Sequence, residues 1–115
     1  MKILFALVLV SGVGAGTPAF AHAFLNHADP GAGAHLAKAP AAVRLDFSEA
    51  LEPTFSGASV SNAGGHDFVS ATKVSGRTIT VTLGPLKPGS YKVRWHAVSV
   101  DTHRTQGAYS FTVGP

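Results

Sequence analysis

Three residues of the 115-residue sequence combine types and spacing suited to holding a metal ion: His22, Asp101 and His103. Asp101 and His103 stand at i and i+2, which in an extended segment turns both side chains to one side with alpha carbons about 6.6 Å apart. His22 follows Ala19-Phe20-Ala21, the small-residue pattern at which a secretory signal is cut. A cut there makes His22 the first residue, and it then offers two donors, its α-amino group and its imidazole Nδ1, which close a chelate ring. The amine has a reference pKa of about 7.7–8.0 and imidazole about 6.5, so both release protons near neutral pH when a metal competes for them. The set amounts to three nitrogens and one carboxylate oxygen. Such a set suits Cu(II) in a tetragonal arrangement and ranks it above Zn(II).

The compartment follows from the segment ahead of His22. Lys2 supplies a positive start, Ile3 to Val10 form an apolar run, and Thr17-Pro18 precede the cut, so residues 1–21 read as a cleaved signal peptide and 22–115 as the working domain. That run is too short to span a bilayer, which takes about 20 apolar residues, and no later stretch comes close, so the mature chain is expected to be soluble. Removing Lys2 leaves 8 Lys+Arg against 6 Asp+Glu. A balance this mild gives no argument for nucleic acid or for an acidic surface as partner.

A chain of this size is one domain with a modest core, and the sequence contains no cysteine to staple it. Strand pairing and packing must hold the fold. The same absence excludes thiolate metal sites and cysteine nucleophiles, and the single methionine, Met1, departs with the signal. A metal site must therefore use nitrogen and oxygen, which excludes the soft ligands that favour Cu(I).

The elements that have to position these ligands show a period of two. Val43, Leu45 and Phe47 alternate with Arg44 and Asp46; Ile79, Val81 and Leu83 alternate with Thr80 and Thr82; Tyr109, Phe111 and Val113 alternate with Ser110 and Thr112. These are half-buried strands. Ala58 and Val60 suggest another, and Phe68-Val69 a short one beyond the Asn62–Gly65 turn. No segment carries a helical stripe. About seven short strands between turn signals predict an all-β Greek-key sandwich of antiparallel strands. One strand breaks its alternation: Tyr91, Val93, Trp95 and Ala97 share a parity that shifts to Val98 and Val100, the mark of a bulge or a strand end just before Asp101.

The remaining histidines have plainer readings. His96 lies next to Trp95 with opposite parity and faces solvent, while His35 and His66 fall in polar or glycine-rich loops. Strand parity continued from His22 puts His27 on the opposite face, which makes it a weak candidate ligand.

These motifs together resemble the CopC family of periplasmic copper-binding proteins. The likeness runs from His22 to Val113 and rests on the cleaved N-terminal histidine, the Asp29-Pro30-Gly31 turn, the "RLDFSEALEP" strand from Arg44 to Pro53, and "SVDTHRTQG" from Ser99 to Gly107. The resemblance implies a seven-stranded cupredoxin-like Greek-key barrel or sandwich. It also implies Cu(II) held by the amine and imidazole of His22 with Asp101 and His103, and a role in copper resistance or homeostasis beside a CopD-type inner-membrane protein. Some members of the family carry a second, Cu(I) site in a methionine-rich loop; the corresponding "EALEPTFSGASVSNAGG" here has no methionine, so a Cu(II)-only protein is expected.

Two rivals remain. Copper polysaccharide monooxygenases also begin with a metal-binding histidine, but the Asp101 carboxylate would fill the position that oxygen needs, and a catalytic metal keeps a position open. The chain is accordingly read as a binding protein and not an enzyme. The other rival is a metal-free adhesion sandwich, which leaves the pairing of His22 with Asp101 and His103 without a purpose.

Overall fold

The computed structural model describes residues 23–115. Two four-stranded sheets pack face to face, one ordered β1-β3-β6-β5 and the other β2-β8-β7-β4. The strands are β1 (Leu25–Asp29), β2 (His35–Leu36), β3 (Ala42–Phe47), β4 (Gly57–Ser61), β5 (Val69–Ser75), β6 (Thr78–Leu83), β7 (Gly89–Val98) and β8 (Arg104–Val113). A single 3-10 turn at Pro53–Phe55 is the one helical element among the described residues.

Alternation in the sequence becomes the core. Val43, Leu45, Ile79 and Val81 from the first sheet meet Val93 and Phe111 from the second, all at most 1% exposed. Each such side chain contributes about 1.5–3 kcal/mol on burial. Among the described residues the bridge between the layers also uses aromatic edges. Trp95 sets its ring edge-on to Phe47, centroids 5.1 Å apart, while within the second sheet Tyr91 stacks on Phe111 at 5.8 Å. Tyr109 donates its hydroxyl to the Pro30 carbonyl at 2.7 Å, tying β8 to the turn after β1. Burial, helped by the charge of Asp29, pushes that phenol up to about 12, so it remains a donor throughout the neutral range.

The β7–β8 hairpin is the spine of the second sheet, with continuous antiparallel register from Gly89↔Val113 to Val98↔Arg104. No register slips along it and β7 ends at Val98, so of the two readings of the parity break after Ala97 the strand end holds and the bulge does not. Ala97 and Ser99 both point inward, at 1% exposure each, while Val100 is 56% exposed. Past the strand end a buried hydroxyl, not a methyl, continues the inward row.

The structure departs from the expected strands elsewhere. The Arg44–Pro53 segment stops being a strand at Phe47; Leu51 then makes an isolated bridge with Ser99 before the 3-10 turn. His35 belongs to β2, a two-residue strand parallel to β8, rather than to a loop. β5 runs seven residues, far beyond Phe68-Val69, yet most of it is exposed, as an edge strand with little apolar pattern would be.

Trp95 depends on its cross-strand neighbour Gly107. A Cβ at position 107 would lie 2.6 Å from the indole Cζ2 and 2.8 Å from Cε2, inside any tolerable contact. Gly107→Ala must therefore displace the indole from Phe47, and overpacking of this kind costs about 1–3 kcal/mol. Denaturant unfolding should show that loss together with a changed Trp95 emission maximum in the folded state.

Candidate metal centre

Asp101 and His103 lie in the five-residue connection from β7 to β8, at one end of the sandwich. The connection is tightly closed on itself. Ser99 N–H donates to the His103 carbonyl at 2.9 Å, and Thr102 N–H to the Ser99 carbonyl at 2.8 Å. Thr102 takes φ of 76°, a left-handed conformation that a β-branched residue adopts only where its surroundings enforce it. The segment Ala50–Glu52 braces the base, with Val100 N–H donating to Ala50 and Glu52 N–H to Val98.

Within this loop the expected pair does meet. His103 Nδ1 lies 3.2 Å from Asp101 Oδ1, and both side chains are about half exposed. Ser99, buried beneath them, donates its hydroxyl to the same Asp101 oxygen in a short hydrogen bond. The Ser99 hydroxyl first, and His103 after it, hold the Asp101 carboxyl below the usual carboxylate range. An ionised, oriented carboxylate beside an imidazole is a ready pair of oxygen and nitrogen donors. Ser99 escaped sequence reasoning, although its parity with Tyr91, Val93, Trp95 and Ala97 was the available signal.

A second feature brings the start of the described chain to the same end. Ala23 is fully buried, and its carbonyl accepts the Thr105 hydroxyl at 2.7 Å, two residues past His103. Phe24 exchanges two hydrogen bonds with Ser48, its N–H donating to Oγ and its carbonyl accepting from N–H, each at 2.8 Å. These clamps link residues far apart in sequence, and no local pattern announces them. His22 itself lies outside the described residues. Among the described residues no three His, Asp or Glu side chains gather as a metal site, so Asp101 and His103 stand as a pair.

The other histidines are elsewhere. His27 lies opposite Asp46 across β1 and β3, His35 bonds Thr112 Oγ1 through Nδ1 at 2.7 Å, and His66 packs edge-on to Phe68. His96 faces solvent on β7, as its parity implied.

The CopC domain model matches residues 25–114, nearly all of the described chain. The protein belongs to the CopC family. Its sequence is 40% identical over 99 residues to protein YobA of Escherichia coli K12, covering 82% of this chain and 80% of that one. It is 36% identical to copper resistance protein C of Escherichia coli, covering 98% of this chain and 99% of the relative. The crystal structure of CopC from Methylosinus trichosporium OB3b superposes with a TM-score of 0.77 at 36% identity, over 82% of this chain and 95% of that chain. CopC proteins are named for copper resistance, and this member is a copper-handling protein, not an enzyme. No helix among the described residues is long and apolar enough to cross a membrane.

The Ser99 hydrogen bond can be tested through proton linkage. A carboxyl held low in the folded state contributes stability above its unfolded pKa, and that contribution is lost as pH falls through the folded value. Ser99→Ala should raise the Asp101 titration toward the usual range and remove part of this acid-side dependence. Carboxyl carbon NMR of Asp101 against pH reads it directly; an unchanged midpoint would assign the depression to His103 alone.

Proposed function

We propose that this CopC-family protein is exported to the periplasm, loses residues 1–21, and as residues 22–115 binds Cu(II) through His22, Asp101 and His103. The observation that carries the reading is the Asp101–His103 pair, 3.2 Å apart, at the end of the sandwich where Thr105 clamps Ala23. His22 is the residue immediately before Ala23. Only one residue ahead of a fixed carbonyl, a new amino terminus has a short reach, which lowers the entropy cost of bringing its two donors to the loop.

Each residue has a distinct part. Asp101 supplies a carboxylate already ionised and oriented by Ser99. His103 supplies imidazole, and His22 supplies amine and imidazole once the chain is cut. The chemistry favours the oxidised ion: every proposed donor is nitrogen or oxygen, and no methionine follows Met1. Copper is cargo, held against toxicity or passed on to an inner-membrane protein of the CopD type.

The free amine makes the sharpest demand. Removing even an outer partner of a metal ligand costs roughly 10–100-fold in affinity. A protein carrying one additional residue ahead of His22 loses a direct donor and its chelate ring, so its Cu(II) affinity should fall by more than about 100-fold while its melting temperature is unchanged. His103→Ala should weaken binding comparably; His35→Ala and His66→Ala should not. Competitive titration against a Cu(II) chelator measures all four, and tight binding by the extended protein would refute the amine as a ligand.

A further inference from the structure

The outer face of the second sheet carries charge of one sign. Neither Asp nor Glu occurs in β2, β4, β7 or β8, whereas Lys92, Arg94 and Arg104 all do, and all three are exposed. Among the described residues none of these cations forms an ion pair. The first sheet differs, since its outward Arg44 is neutralised by Asp46 at 3.1 Å. One carboxylate, Asp67, borders the depression that holds Lys92, and its Oδ1 accepts the backbone N–H groups of Val60 and Val69.

The arrangement is a column rather than a scatter. Lys92, Arg94 and His96 follow one another at every second position of β7, all on the solvent side, about 6.6–6.8 Å apart. Small residues flank the column on both sides. Register places Arg94 between Ser59 and Ala108, Lys92 between Ser61 and Ser110. Two adjoining shallow depressions result, sharing Ser59 and Arg94. Three strands at about 4.8 Å spacing make this face roughly 10 Å wide, the width of a single extended chain, with Lys92 and Arg94 raised along its midline.

We infer that the β4-β7-β8 face is a docking surface for an extended acidic segment of a partner protein, with carboxylates at alternate positions. Same-side residues of an extended peptide repeat at the same about 6.6–6.8 Å as Lys92, Arg94 and His96, so one strand of the partner can set carboxylates over successive members of the column. The hydroxyls of Ser59, Ser61 and Ser110 offer hydrogen bonds along its margins. The cations form a single row along one strand rather than a broad basic field, which matches one acidic strand better than the extended surface of an anionic membrane. Unpaired cations facing carboxylates speed encounter and fix register more than they add affinity, so binding should be salt-sensitive.

The test uses copper-free protein, so its outcome does not depend on the metal reading. The probe is a fluorescent peptide alternating glutamate with threonine, followed by anisotropy at low salt and by amide NMR shifts along β7. Expected is binding that weakens at least about tenfold in K92E/R94E and measurably in the milder Arg94→Gln, with K73E on β5 unaffected. Circular dichroism and thermal melting confirm that each variant is folded. Equal binding by K92E/R94E and by Arg94→Gln would overturn the inference. So would equal binding of a peptide with the same glutamates gathered in one block, or retention on phosphatidylglycerol vesicles without peptide binding.

Discussion

The hydrogen bond from the Thr105 hydroxyl to the Ala23 carbonyl is the constraint on which the proposed centre depends. It joins residues 82 apart in sequence, with Ala23 fully buried at the contact. Ser48 grips Phe24 from the other sheet, so the entering chain is held between both layers. This end of the sandwich also carries the β7–β8 connection. A chain start fixed only by local structure would fray, as termini generally do. Here the long hairpin, through Thr105, supplies the fixed point.

Ser99 has the corresponding place in the loop. It continues the inward row just past β7, is buried, and donates to Asp101, while its backbone N–H closes the loop onto His103. One residue thus converts strand register into the orientation of the Asp101 carboxylate. Leu51, bridged to Ser99 from the segment after β3, ties that register to the opposite sheet. The same rigid hairpin spaces Lys92, Arg94 and His96 on its outer side, so both surfaces of β7 draw their geometry from one ladder.

Much of this was legible in the sequence where one face of a strand is buried. Val43-Leu45-Phe47, Ile79-Val81-Leu83 and Tyr109-Phe111-Val113 alternate because one side of each must leave water, and all three became strands of the core. β1, β2 and the length of β5 were not legible, since edge strands that set only two or so residues against the core, or are only two residues long, carry no such alternation. Val98 and Val100 marked the end of β7 rather than a bulge, and the polar Ser99 concealed the inward row that continues past it. Asp101 does meet His103, a local relation, but through a turn with Thr102 at φ of 76° and not through the extended segment that the i, i+2 spacing implied. The clamps on Ala23 and Phe24 are relations between distant segments, invisible to any local pattern, and His22 falls outside the described residues.

The most direct measurement of the proposed centre is the electron paramagnetic resonance spectrum of the Cu(II)-loaded protein beginning at His22, beside that of the uncut chain beginning at Met1. The processed protein should give a tetragonal spectrum with hyperfine structure from three nitrogens, and the uncut chain, lacking a free amine at His22, should not reproduce it. The same spectrum from both forms would contradict a centre made by the cut.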